Sequence, residues 1–528
     1  MSSFRPALAT AALRFAPLLL LLSAGGTVVA SLAAPAAWSA DPAVNTVLSD
    51  RPGEQVQPKI APLADGGAYL SWYDNATGGY DPTLQRIDAH GDPQWAPGGL
   101  RVADTGLSWV TDHALATDAD GDALMAFRDD RSGSEQITAA RIAPDGRPLW
   151  GEAGRQLSDA TEFVGPPRII GTSDDRVVVG WSEGALIRLR RLGLDGQPLW
   201  PRDLEIADAA AQLFLADLRP APEGGFIASW VRTAGFSSPR HLYAQRYSAD
   251  GVALWGEMGA DGRRLPVPVF TASTLQYGNF PPFIPDGRGG AVFVWYETGP
   301  LQARAQRLDS EGHPLWGPDG KTAAVPDAGV ERVEPAGAVD RAGGDVYVFW
   351  RETPVRSGPF QQALRGQRID GEGRRAWGEA GLILEDWGPH EMTQLNAAAV
   401  EGGVLFAWVE KLAEGDQRVW LRKLSATGAD LWAPRVAVSS ASSAKSRLVM
   451  GLLDGGMAVL GWQDTRGGSE DLYLQNLNGD GSLGDAGRPT STPGAASATP
   501  TVAVATPEPS ATAVICTSMF LPLLKGGR

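Results

Sequence analysis

Short apolar, β-rich runs alternate with tight-turn residues along most of the chain. Lys59 to Leu63 predicts a first strand, and Asp65-Gly66-Gly67 a two-residue hairpin turn, where adjacent Asp and Gly supply positive φ. Ala68 to Tyr73 is largely apolar, as a strand buried on both faces should be. After a loop of variable length, Thr83 to Asp88 predicts a third strand, Ala89-His90-Gly91-Asp92 a turn, and Leu100 to Ala103 a fourth strand. The same first turn recurs at Asp120-Gly121, Gly224-Gly225, Gly289-Gly290, Gly343-Gly344, Gly402-Gly403 and Gly455-Gly456, with Asp174-Asp175 in the third unit.

Two aromatic anchors fix the period. A Gly followed four residues later by Trp ends in Trp95, Trp150, Trp200, Trp255, Trp316, Trp377 and Trp432. An aromatic closes the second strand at Trp72, Phe127, Trp181, Trp230, Trp295, Trp350, Trp408 and Trp462. Four strands in roughly 50 residues is the unit of a β-propeller blade rather than of a helical repeat. The chain ends separate a ring from a linear solenoid. The eighth unit lacks its closing Trp, since Asp485 occupies that place, and it lacks a fourth strand. Asn45 to Asp50, ahead of the first unit, resembles the fourth strands Leu100 to Asp104, Arg155 to Asp159 and Leu204 to Asp208. The expected fold is therefore all-β: an eight-bladed β-propeller of four-stranded antiparallel blades. Its last blade is closed by the N-terminal strand, which removes exposed strand edges.

Composition narrows function by exclusion. The 528 residues are 43% hydrophobic and 20% charged, enough for a large core. The net charge of −15 argues against a nucleic-acid partner. A single cysteine, Cys516, rules out an internal disulfide and a cysteine zinc site. Most of the 18 tryptophans belong to the two anchors, so the tryptophan excess is the repeat itself.

The ends carry addresses. Arg5 and Arg14 precede an apolar stretch from Phe15 to Leu22 and then small residues up to Ala40, the pattern of a signal peptide over residues 1–40. The cut is expected between Ala30 and Asp41, with Ala37-Trp38-Ser39 among the fitting sites; an uncleaved membrane anchor is the alternative. The propeller is expected over 41–485, a Pro/Thr/Ala-rich linker over 486–506, and a C-terminal segment over 507–528. That segment has Pro507-Glu508-Pro509, an apolar run from Ala511 to Leu524, and the basic end Lys525 to Arg528. It resembles the PEP-CTERM sorting tail of bacterial exported proteins. The resemblance implies delivery to the outer surface or exopolysaccharide matrix, with membrane contact through the terminal segments only.

The repeat resembles the tryptophan-docking repeat of quinoprotein-type propellers. An Asp and a Gly stand before the Trp at Asp88/Gly91/Trp95, Asp309/Gly312/Trp316 and Asp370/Gly373/Trp377, and Leu424 to Trp432 looks like the same unit. The resemblance implies that each Trp packs across to the neighbouring blade. It implies fold rather than chemistry. Quinoprotein enzymes carry adjacent cysteines, which this chain lacks, so no cofactor is expected.

Two polar positions recur in register. Acids follow the second-strand aromatic at Asp74, Asp129, Glu183, Glu297, Glu352, Glu410 and Asp464, with Arg232 in the fourth unit. Bases precede the turn Gly at Arg86, Arg141, Arg191, Arg246, Arg307, Arg368 and Lys423, with Asn476 in the eighth. A charged channel lining is one reading. The structural reading is an ion pair or a backbone hydrogen bond repeated blade by blade, which predicts opposite charges within about 4 Å in most blades. Asp118, Asp120 and Asp122, and the string Asn476 to Gly481, mimic calcium loops but coincide with ordinary turns, so no metal is assigned. His113, His241 and His390 have no Ser or Cys partner that stands out and read as surface or loop residues. No catalytic residue is assigned. The unit-specific aromatics Tyr80, Trp109, Phe236, Tyr277, Phe280, Phe283, Trp387 and Trp420 offer either a sugar- or peptide-binding surface or blade packing. The function expected is an exported, monomeric, non-catalytic binding or structural module for a polysaccharide or surface protein. The alternative is a polysaccharide hydrolase or lyase using loop carboxylates.

Overall fold

The computed structural model describes residues 38–485, apart from 111, 357 and 433. Most of the expected leader, the linker, the sorting tail and Cys516 lie outside the described residues. Among the described residues the strands form eight four-stranded antiparallel sheets arranged as a β-propeller, with one three-residue 3-10 turn at Asp454–Gly456.

Blade 1 contains Gln55–Pro62, Ala68–Asp74, Asp81–Ile87 and Leu100–Arg101, in that order from inner to outer edge. Blades 2 to 7 repeat this sequential order. Their first strands begin at Ala114, Arg168, Gln212, Phe283, Val330 and Glu391. Blade 8 takes Lys445–Leu452, Ala458–Asp464 and Asp471–Leu477 from the chain's end and Thr46–Ser49 from its beginning. Thr46 lies opposite Leu474 and Val47 opposite Tyr473, so the expected N-terminal closure is present.

The second strand is the best-buried one. Every residue of Ala68–Asp74, Ala123–Asp129 and Ala458–Asp464 is buried, because each such strand is covered on both sides by neighbouring blades. The apolar core is correspondingly divided. Eight clusters each join two adjacent blades, such as Ile227 and Leu242 of blade 4 with Phe293 and Leu308 of blade 5. The cluster closing the ring joins Ala68 and Leu70 of blade 1 with Val459 and Leu474 of blade 8.

That last cluster contains Trp38, only 4% exposed. Its indole Nε1 donates to the Ala89 carbonyl at 3.0 Å, and its ring lies on Gly91. Trp38, Ser39 and Ala40 were expected in the leader, yet they pack into the ring: the Ser39 carbonyl accepts from Gln475 at 2.7 Å, and Ala40 covers Gly484. The packed body thus starts no later than residue 38, ahead of the expected boundary at 41.

Candidate binding face and blade-edge cleft

The anchor tryptophans dock between blades. Each ring from Trp95 to Trp432 lies on the turn glycine of the next blade, from Gly146 to Gly481, and Trp38 supplies the same ring for Gly91. These glycines hold positive φ, +80° at Gly91, and a Cβ there would sit 2.6 Å from Trp38. The indoles donate across the interface: Trp95 to Pro144, Trp150 to Leu194 at 2.9 Å, Trp200 to Ala249, Trp255 to Ser310 at 2.8 Å, Trp316 to Gly371 and Trp377 to Ala426.

The recurrent bases serve the same interfaces. Arg141, Arg191, Arg246 and Arg368 donate to the carbonyls of Leu194, Ala249, Ser310 and Ala426, the acceptors their blades' tryptophans use. Arg307 reaches Gly344 at 2.8 Å. The carbonyls of Leu194, Ala249, Ser310 and Ala426 thus each receive an indole and a guanidinium, locking one blade's outer turn to the next. Within their own blades Arg86, Arg141, Arg191, Arg307 and Arg368 pair with the first-turn acids Asp65, Asp118, Asp174, Asp286 and Asp345.

The bases thus make the repeated backbone hydrogen bond, while the expectation of an ion pair between the recurrent acids and these bases is corrected. In blade 1 Asp74 lies opposite Asp81 and Arg86 opposite Tyr69, so acid and base stand at opposite ends of the hairpin. Five residue steps along the strand separate them, about 17 Å. The acids find other cations: Asp74 with Arg51, Glu183 with Arg188, Glu297 with Arg304, Glu352 with Arg332 and Arg365, Glu410 with Arg435, and Asp464 with Arg466. In blade 4 Arg232 reverses the polarity and pairs with Asp208 at 2.6 Å.

Both calcium-like strings are occupied by protein groups. Asp118, Asp120 and Asp122 converge on the Arg141 guanidinium at 2.7, 2.9 and 2.8 Å. Asn476 and Asn478 bond to the Gly484 backbone and Asp480 to Ser482. The exposed cluster Asp309, Glu311 and His313 is an Asx-type turn in which Asp309 caps the two backbone N–H groups.

The histidines meet the surface-or-loop expectation in part: His113 lies on a connection but not at the surface, and His241 opens the strand His241–Tyr247. His113 is buried and its Nε2 lies 2.8 Å from the Ser71 hydroxyl, with Tyr73 edge-on at 4.9 Å. Burial, then Lys59, holds its pKa down to about 3, so it is neutral. Nucleophile chemistry requires access; Ser71 is fully buried, and the pair is a packed hydrogen bond. Beside it Asp112 pairs with Lys59 at 2.6 Å and with Arg168 at 3.2 Å, stitching blades 1, 2 and 3 near the channel. Sequence separations of 42 and more hid these contacts. His390 is half-buried and bonds Glu410 at 3.0 Å.

The aromatics divide between the two readings. Phe283 is core, and Trp387 and Trp420 are partly buried. Phe236, Tyr277 and Trp109 are 85%, 66% and 48% exposed. They sit on connections from second to third strands or from one blade to the next, which share one face of the ring. Two arginines anchor them. Arg128 lies over Trp109 at 4.5 Å and over Phe163 at 5.0 Å, and pairs with Glu135. Arg240 lies over Phe214, Tyr277 and Phe280 at 5.9, 5.3 and 5.3 Å. Phe163, Phe214 and both arginines were missed in the sequence, because none occupies a recurrent position.

A cleft of about 1370 Å³ opens between the outer strands of blades 3 and 4. The blade 4 connection 248–266 is longer than its blade 1 counterpart, 88–99, and several of its residues line the cleft. Three carboxylates line the cleft, and each is held at 2.6 Å by an arginine: Asp203 by Arg190, Glu205 by Arg188, and Asp208 by Arg232. Arg202 and Arg263 add positive charge with no ion pair among the described residues.

No protein-family model matches the chain, and no curated protein does. Among solved structures the chain is similar to the Dos1 propeller, at 11% identity and a TM-score of 0.45, over 84% of this chain and 96% of that one. It is also similar to a PL25 polysaccharide lyase, an ulvan lyase, at 13% identity and a TM-score of 0.41, over 74% and 96%. A third is puromycin hydrolase, at 16% identity and a TM-score of 0.40, over 82% of this chain and 61% of that one. These likenesses concern the fold.

Proposed function

We propose that the protein is a non-catalytic binding module, exported to the cell surface or extracellular matrix, where it engages a polysaccharide or surface protein. The observation that carries this reading is the cleft between blades 3 and 4. Its three carboxylates are each engaged by an arginine at 2.6 Å, so protein donors already occupy them. Its remaining chemistry, arginine N–H groups beside exposed Leu265 and Met258, is suited to adhesion. The leader and the Pro-Glu-Pro tail support the location. The test is a glycan and surface-protein binding screen on the full chain, run beside an assay for released reducing ends. Saturable binding without product release is expected; turnover of a bound glycan overturns the reading.

One site favours the enzymatic alternative. Glu385 and Glu410 both approach Arg435 Nη1, at 3.5 and 3.3 Å, and burial raises the proton affinity of Glu385. Two carboxylates facing one arginine, with burial raising the proton affinity of one of them, have the make-up of a glycoside-cleaving pair. If the screen finds turnover, Glu385→Gln should abolish it.

A further inference from the structure

Arg240 is an anomaly among the buried arginines of this ring. It is only 7% exposed, yet no carboxylate pairs with it among the described residues. Its Nε and Nη2 have no hydrogen-bond partner. Arg128, Arg332 and Arg422, equally enclosed, pair with Glu135, Glu352 and Asp430. Phe214, Tyr277 and Phe280 surround Arg240, and Phe236 packs on Tyr277 at 5.5 Å. Ring faces recover only part of the cost of burying a guanidinium, and donors left unpaired add to it. A buried, uncompensated cation behind exposed rings has the form of an anion site.

The surroundings narrow the anion. Tyr277, 66% exposed, is the wall of the box most open to solvent, with Phe280 at 36% beside it. Tyr277 also lines a neighbouring pocket of about 310 Å³. There Gln276, Asn279, Tyr296 and Glu334 offer amide, phenol and carboxylate groups. Glu334 is held by Arg351 at 3.1 Å and occupies a left-handed backbone position, φ 52°, at a bulge of the inner strand Val330–Val339. Such a bulge re-aims a side chain at a modest energetic cost. A flat phenol beside several hydroxyl-binding groups suits a sugar ring, and one buried guanidinium suits one carboxylate per sugar.

We infer that Arg240 and the Tyr277 pocket form a binding site for a uronic-acid residue of an acidic polysaccharide. The carboxylate meets the guanidinium, and the sugar's hydroxyls face Gln276, Asn279 and Glu334. The inference rests on the binding-module reading and specifies its ligand class.

The probe is hexagalacturonate titrated calorimetrically into the full chain, with its carboxyl-reduced counterpart, dextran sulfate and a poly-glutamate peptide as comparisons. Saturable hexagalacturonate binding is expected, weakened about tenfold or more by Arg240→Gln, by Tyr277→Ala and by carboxyl reduction. Arg240→Gln should leave the unfolding midpoint unchanged or raise it, which separates loss of the site from loss of the fold. Equal affinity for the reduced hexamer, or unchanged affinity in Arg240→Gln, overturns the site while leaving the binding module standing. Tighter binding of poly-glutamate replaces the saccharide with an acidic peptide, and preference for dextran sulfate replaces the carboxylate with a sulfate. If neither hexagalacturonate nor any glycan or protein in the wider screen is bound, both readings fall.

Discussion

Truncating Trp38 to alanine is the sharpest test of how this ring closes. Trp38 fills the eighth dock, on Gly91, and lies in the apolar cluster that joins blade 8 to blade 1. A tryptophan buries roughly 150–250 Å². At about 25 cal/mol per Å² that is about 4–6 kcal/mol. The alanine Cβ and relaxation of the freed segment reduce this figure, and the lost hydrogen bond to Ala89 adds about 1 kcal/mol. The net expectation is about 4 kcal/mol, within the usual range for core tryptophan truncations. The assay is chemical unfolding of full-length wild type and variant, followed by tryptophan fluorescence and circular dichroism. Trp109→Ala, at a half-exposed site outside the docks, is the control and should cost less than about 1 kcal/mol. A Trp38→Ala shift no larger than that of the control refutes the closure argument. The same contact constrains leader removal. A cut after Ser39 would discard the ring that covers Gly91, so, if the proposed export removes a leader, N-terminal sequencing should find a start at Trp38 or earlier. A mature start at Asp41 with unaltered unfolding contradicts this.

Two further outcomes follow from buried charge. His113 is held neutral with a pKa of about 3, against about 6.5 in the unfolded chain. Below pH 6.5 the unfolded chain binds a proton that the folded ring refuses, so stability is lost as pH falls from about 6.5 towards 3, by up to about 5 kcal/mol. His113→Asn should remove that component; an equal wild-type-to-variant difference at pH 7 and pH 4 contradicts it. Arg141→Ala leaves Asp118, Asp120 and Asp122 converging without their guanidinium, and a buried ion-pair network that loses one partner costs about 3–5 kcal/mol. The three carboxylates then resemble a calcium loop, so millimolar calcium should raise the melting temperature of the variant and not of the wild type; no differential effect counts against this.

Trp38 also marks where reading the sequence stopped short. The closing strand at Thr46–Ser49 was legible because its residues resemble the fourth strands of other blades. The missing eighth tryptophan was not recognised, although Trp38 stands upstream of that strand as Trp95 stands upstream of Leu100. Small residues around it read as a cleavage region, and the local pattern outweighed the repeat. The spacing that reveals the recurrent acids and bases does not name their partners. The strand register decides that, setting Arg86 opposite Tyr69.

What the sequence determined by itself is the repeat: period, strand count, turn chemistry and closure. Each is a local property, set by side-chain alternation and by glycine's access to positive φ. What only the tertiary structure decided is which distant groups meet. Arg240 is enclosed by aromatics from separate strands and connections, Ser71 meets His113 across two blades, and the cleft opens where one connection is longer than its counterparts. Such contacts depend on ring geometry rather than on spacing along the chain, so no reading of residues in order brings them together.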